Sequence, residues 1–306
     1  MAENISRRQF MLATAAMAGL PVIGRAMSAK SSDYVWPAII IGSGYGGAVS
    51  AYHLTHHKVP TLILEMGKRW AQAQHPFHPM LAPGQSSVWL KHWNIMPFGI
   101  NLPVPYYTGV LDRLDLPGKQ VYLGRGYGGG SLVNGGMAVV PKREYFREVF
   151  PTVSDAKMYG YYFPVAQNRL GVNRIDPAWF SRTKWYKFAR VGISQAQKAN
   201  FKTTMVPNVY DFRFMQGEDT VRSHPKSALA GEVIMGNNYG KRSLDRSYLA
   251  SAEATGYLAV QDLTRVVDIR QETSGEFILS IERLNTEGNV TSSSVLRCKR
   301  LLLNAG

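Results

Sequence analysis

The sequence predicts a mixed α/β fold organised around a Rossmann-like nucleotide-binding unit. Three observations predict it. A strand, glycine turn, helix and second strand follow one another between Trp36 and Gly67. A second glycine-rich segment comes about 80 residues later, and helix and strand signals are mixed through the rest of the 306 residues.

The first unit reads "WPAIIIGSGYGGAVSAYHLTHHKVPTLILEMG". Pro37 opens a short apolar run, Ala38 to Ile41, of the kind that is buried on both faces in a parallel sheet. Gly42, Gly44 and Gly47 supply G-x-G-x-x-G, a helix follows from Gly46 to about His57, and a second strand from Thr61 to Leu64 ends at Glu65. In this pattern the first glycine makes the tight turn, the second lets the main chain approach a pyrophosphate, and the third packs helix on strand. The helix start offers unpaired N–H groups to the phosphates. Glu65 stands where a carboxylate accepts from ribose hydroxyls, and an acid rather than an arginine there favours NAD or FAD over NADP.

The second segment, "GRGYGGGSLVNGGMAV" at 124–139, places seven glycines in the thirteen positions from Gly124 to Gly136. Each glycine costs about 0.5–1 kcal/mol in a regular element, so the bare backbone points to close approach by something bulky. It follows "GKQVYLG", a short strand. Two phosphate-approaching segments on one chain suit a long cofactor held along its length, as FAD is.

These strings, with "YTGVLDRLD", "VPNVYDF", "PKSALAGEVIMGNNYGKRSLDRSYLA" and "CKRLLLNAG", resemble the glucose-methanol-choline oxidoreductases, and among them the N-terminal part of the bacterial cholesterol oxidases. The resemblance implies FAD as cofactor. It places Tyr45 and Gly46 in the pyrophosphate loop and Glu65 on the adenosine ribose. Gly129, Gly130, Asn134, Gly135 and Met137 fall in the segment beside the flavin, and the backbone of Val266 at the adenine. An amide at Asn134 can donate and accept beside a flavin ring without adding fixed charge. On this reading Gly124 to Gly136 is bare because the flavin and its phosphates lie on it.

The implied activity is oxidation of a 3β-hydroxysteroid with O2, giving a ketosteroid and hydrogen peroxide, with double-bond isomerisation in the full-length family. In that family the catalytic histidine and asparagine lie in a second half of the fold. No catalytic residue is therefore expected in this chain, which reads as truncated and weakly active or inactive. Two alternatives remain open: another alcohol oxidoreductase of the family, or a non-catalytic FAD-binding fragment.

The remaining sequence divides into parts. Residues 1–28 carry adjacent Arg7 and Arg8, an apolar stretch and small residues, the pattern of a twin-arginine export signal and so of a periplasmic or secreted protein. Residues 34–140 form the first part of the FAD-binding domain, with an irregular, aromatic, lid-like insertion at 68–120. Residues 141–235 read as a helical substrate-domain part in which Tyr145, Phe146 and Val149 share one apolar side. Residues 236–306 return to the FAD domain, with "YLAVQDLTRVVDIRQ" as a strand and an antiparallel pair turning near Gly288.

Formal charge is +14, but the basic residues are scattered and no nucleic-acid motif is present, so nucleic acid is not an expected partner. Transient contact with a membrane surface for substrate access is an open expectation, and the oligomeric state is not readable. Cys298 alone excludes an internal disulfide. His56 and His57 lack a third ligand, and no metal is expected.

Overall fold

The computed structural model describes residues 34–70, 89, 92–95, 100–103, 107–221, 229 and 239–305. The signal-like segment 1–28 and the core of the insertion, 71–88, lie outside the described residues.

A four-stranded parallel sheet carries the nucleotide unit. Its strands are β2 (Ala38–Ile41), β3 (Thr61–Leu64), β8 (Leu258–Gln261) and β12 (Leu301–Leu303), in the order β12-β2-β3-β8. Both faces of this sheet are covered, which explains the unbroken apolar runs in β2 and β3. Side chains alternate along a strand. Ile40 and Ile63 therefore face helix α1 (Tyr45–His56) and helix α8 (Tyr248–Ala254), packing with Ala48, Ala51, Leu249 and Ala252. Ile39, Leu62 and Leu64 face the other way, onto Leu279, Ile281 and Cys298 of a second sheet.

That second sheet has the order β1-β11-β10-β9, with β1 (Val35–Trp36), β9 (Thr264–Gln271), β10 (Phe277–Leu284) and β11 (Val290–Cys298). Gly288, at φ 77°, makes the expected turn between β10 and β11. Cys298 is buried there, and burial pushes its thiol up to about 11. The run from Tyr257 to Gln271 is two strands rather than one. Leu263, at φ 47°, breaks it, so that β8 joins the parallel sheet and β9 the antiparallel one.

Two separate antiparallel pairs lie between β3 and the second glycine segment in sequence. They pair β4 (His92–Ile95) with β5 (Ile100–Pro103), and β6 (Leu111–Leu116) with β7 (Lys119–Gly124). The described parts of 68–120 thus include regular strands, where the sequence led us to expect irregular chain.

Residues 141–221 carry a series of short helices joined by irregular chain. Helix α2 (Arg143–Val149) buries only Phe146, against Phe150, Tyr159 and Phe163. Tyr145 and Val149, expected on the same apolar side, are exposed, because the neighbouring chain covers a stripe one residue wide. Helices α3 (Asp155–Lys157) and α4 (Phe163–Arg169) flank a π-helical stretch at Met158–Tyr162. Next come α5 (Pro177–Arg182), α6 (Lys187–Lys198) and α7 (Phe212–Thr220). Asp176 and Asp211 cap α5 and α7, accepting from the backbone N–H groups of Trp179 and Phe214. Trp179, Phe180, Tyr210 and Met215 form the local core.

Candidate functional site: a cleft between two glycine segments

A cleft of about 700 Å³ opens at the C-terminal ends of β2 and β3, where a parallel α/β sheet presents ligand sites. One wall is the turn into α1, residues 42–46. The other is the 3₁₀ turn Gly129–Leu132 with Val133 and Asn134. Glu65, Val266 and Asn304 close the remaining sides.

The glycines of the first turn do what their positions predict. Gly42 takes φ 91°, and a Cβ there would stand 2.6 Å from the Asn304 carbonyl oxygen. At Gly47 a Cβ would lie 2.0 Å from the Gly42 carbonyl oxygen, so helix and turn pack main chain to main chain. A Cβ on Gly46 would meet Asn304 Oδ1 at 2.5 Å. Gly44 is different, because its missing Cβ points at nothing within 4 Å and lies on the cleft wall. Gly44 is also the N-cap of α1, with no side-chain cap and no acid in the first turn. The helix start is thus free to receive an anion.

The second glycine segment departs from the expectation drawn from its sequence. Most of its bareness serves the protein's own packing. A Cβ on Gly124 would strike the Gly129 carbonyl oxygen at 2.7 Å, and one on Gly129 would lie 2.8 Å from Gly44 Cα. Gly126, Gly128, Gly129 and Gly136 adopt positive φ, and Gly136 is pressed by Asn208. Gly130 alone in this run combines an open side, nothing within 4 Å, with a place in the cleft lining. Gly135 and Met137 do not line the cleft. The Gly135 carbonyl accepts from Asn208 Nδ2 at 3.3 Å, while Met137 is 72% exposed and bridges to Asn208.

Ser43, between the first two glycines of the motif, ties the walls together. Its buried hydroxyl donates to Glu65 Oε2 at 2.6 Å and accepts from the Gly128 N–H at 3.0 Å. Glu65 also accepts from the N–H groups of Gly67 at 2.8 Å and Ser43 at 3.0 Å, with the Gly126 backbone as a further donor. Burial raises the Glu65 carboxyl above its ordinary value, and the hydrogen bonds from Ser43 and Gly67 pull it partly back.

The amide of Asn134 is engaged on both sides. Its Nδ2 donates to the Tyr45 hydroxyl at 2.8 Å, and its Oδ1 accepts from the Gly136 N–H at 3.0 Å. Tyr45 and Asn134 thereby bridge the two walls. One of the amide's two donors goes to that bridge and one of its two acceptor positions to Gly136. Val266 reaches the cleft from β9, at the bulge where Val266 rather than its neighbour pairs with Ile281. Arg125 and Arg265 stand at the rim, each paired with a carboxylate, Asp112 and Glu282 respectively.

No family model matches the chain. It is 27% identical over 253 residues to a cholesterol oxidase of Acinetobacter baumannii, an alignment covering 78% of this chain and 42% of that one. Among solved structures, pyridoxine 4-oxidase from Mesorbium loti superposes with a TM-score of 0.52 at 14% identity, over 89% of this chain and 49% of that one. A fungal aryl-alcohol oxidase gives 0.53 at 13%, over 89% and 46%. A formate oxidase of Aspergillus oryzae, solved for the effect of a mutation on FAD modification, gives 0.51 at 11%, over 90% and 46%.

The fold is that of the glucose-methanol-choline oxidoreductases. The resemblance carried by the glycine-rich strings is borne out, both by the cholesterol oxidase relative and by these structural neighbours. The chain spans less than half the length of the relatives it matches.

Ser43 and Lys241 escaped the reading of sequence. Ser43 fills a variable position of the glycine motif. Lys241 is wholly buried behind the second segment, with Nζ donating to the Asn134 carbonyl at 2.7 Å and the Leu132 carbonyl at 3.3 Å.

Proposed function

We propose that this chain forms the FAD-holding part of an alcohol oxidase that acts on a 3β-hydroxysteroid, with O2 as the electron acceptor and hydrogen peroxide as co-product. The observation that carries the cofactor reading is the pair of cleft-facing glycines, Gly44 and Gly130. A Cβ at either would meet no protein atom within 4 Å, and both glycines line the cleft. The uncapped start of α1 beside Gly44 suits a diphosphate, and Glu65 in the cleft lining suits a ribose hydroxyl. Gly130 and the Tyr45–Asn134 bridge offer a surface for a planar ring.

Bound there, FAD would supply two-electron acceptance from the alcohol carbon. The chain's own residues then divide the work. The α1 turn orients the phosphates, Ser43 and Glu65 fix the distance between the walls, and Asn134 sets the ring face. The steroid assignment rests on likeness to the cholesterol oxidase relative. The twin-arginine pattern at Arg7 and Arg8 supports export of a folded, cofactor-loaded protein, and we propose that destination with the activity.

The test begins with purified protein and FAD. Binding is read from flavin fluorescence quenching and a melting shift, and peroxide release is then measured with cholesterol and with short primary alcohols. Quenching with steroid-dependent peroxide supports the full reading. Quenching with peroxide from other alcohols only replaces the steroid by another substrate of the family. Absence of quenching removes the cofactor reading.

A further inference from the structure

The segment behind the second glycine turn grips it at several points. Leu244 N–H donates to Ser131 Oγ at 3.0 Å, and Ser131 Oγ donates to the Gly128 carbonyl at 2.7 Å. Three residues before Leu244, Lys241 sends its ammonium to the carbonyls of Leu132 and Asn134. Its backbone is fixed independently, through a bridge to Tyr210 and through Arg246, which donates to the Lys241 carbonyl at 2.6 Å. Among the described residues no carboxylate forms an ion pair with Lys241.

A buried ammonium is costly when its acceptors are two neutral carbonyls. Holding a loop by two hydrogen bonds does not require charge, since a glutamine amide donates as well. The charge is what distinguishes this residue, and it sits directly behind Asn134, one residue layer from the cleft.

We propose that Lys241 is a positioning residue for the anionic cofactor: it fixes the Leu132–Asn134 backbone and places a positive charge behind the cleft wall that binding of the ligand draws on. The Asn134 carbonyl accepts from the ammonium, and in a trans peptide the following N–H, that of Gly135, is turned the opposite way. The wall is thereby oriented as well as polarised. The groups that face Lys241 are Asp245 and Arg246 on the following turn and the Tyr210 ring, 5.9 Å from Nζ. Burial, helped by Arg246 and opposed by Asp245, brings the Lys241 ammonium down to about 8. An anion in the cleft favours the protonated form, and by reciprocity the protonated form favours the anion.

This inference rests on the FAD reading, and its test separates the two. FAD affinity is measured by fluorescence quenching from about pH 7 to about pH 9 on the wild type, Lys241→Gln and Lys241→Met, each checked by melting. The wild type is expected to bind most tightly near pH 7 and to lose affinity by up to about tenfold per pH unit above 8. Lys241→Gln keeps donors but no charge, and is expected to bind about tenfold more weakly at pH 7 with no pH dependence across the range. A flat wild-type profile overturns the proposal, as does a Lys241→Gln profile that follows the wild type. Should both variants fail to fold, the wild-type profile alone decides. Absence of binding at every pH overturns the cofactor reading itself.

Discussion

Replacing Gly47 by alanine provides a direct measure of main-chain packing at the start of α1. In a helix this substitution normally stabilises by about 1 kcal/mol, because alanine loses less backbone freedom on folding. Here the new Cβ would stand 2.0 Å from the Gly42 carbonyl oxygen and 3.0 Å from its carbon. Ordinary contact begins at 3.4 Å, so the helix must retreat by about 1.4 Å. Both atoms belong to the main chain, and neither can swing aside. Overpacking typically costs about 1–3 kcal/mol, and the absence of a flexible partner puts this case at the upper end. Net destabilisation is therefore about 2 kcal/mol, which for a domain of this scale lowers Tm by about 4–8 °C. Gly192, in α6, is the internal control, because a Cβ there meets nothing within 4 Å. Gly192→Ala is expected to raise Tm by about 2–4 °C. Scanning calorimetry of both variants checks the pair. A Gly47→Ala protein that melts with or above the wild type refutes the packing argument.

Three further outcomes follow from the cleft. Gly130→Val is expected to weaken FAD binding at least about tenfold, as an anchoring face is blocked, while melting without cofactor stays at the wild-type value; equal affinity in a quenching titration contradicts the assignment of that face. Ser43→Ala removes the hydroxyl that joins Glu65 to the Gly128 N–H, and is expected to cost about 1–3 kcal/mol in urea unfolding; an unchanged midpoint would show the two walls held by other means. Glu65 titrates above its ordinary carboxyl value because it is buried. The folded chain thus keeps a proton that the unfolded chain has lost, and this stabilisation is complete below about pH 4.5 and disappears as pH rises through the raised value. The difference in urea midpoint between wild type and Glu65→Gln should therefore shift in favour of the variant from about pH 4 to about pH 7, and a constant difference contradicts it.

The nucleotide unit was legible because its determinants are local. Four-residue apolar strands, a glycine turn and a helix of twelve residues each announce themselves within a short window. Failures of the reading share the opposite property. The break at Leu263 falls inside an apolar run that looks continuous, and only the separate destinations of β8 and β9 reveal it. Tyr145 and Val149 lie at helical spacing from Phe146, yet what decides their burial is the width of the surface opposite, contributed by Tyr159 and Phe163. Ser43 matters because residues 65 and 126–128 converge on it from distant parts of the chain. Lys241 gives no local sign of burial at all. It sits in "YGKRSL", which reads as a polar turn, and only the fold brings it behind Asn134.

The glycine run at 124–136 shows why a composition signal can point to the right place for an incomplete reason. Close approach is the common requirement, and the sequence cannot say which object approaches. For Gly124 and Gly129 the object is main chain of the same protein, and for Gly126, Gly128 and Gly136 positive φ adds a second demand. These contacts draw the second segment onto Gly44 until the two walls nearly touch. A groove narrow enough to clasp a flat ligand requires that self-packing first, because a Cβ at Gly129 would push the walls apart along their whole contact. Only then does an open position such as Gly130 acquire meaning as a ligand face. The packing glycines therefore determine the width of the cleft, and Gly44 and Gly130 determine what its surface can touch. Substitutions at the two classes should separate accordingly, the first reducing stability with or without cofactor and the second reducing affinity alone.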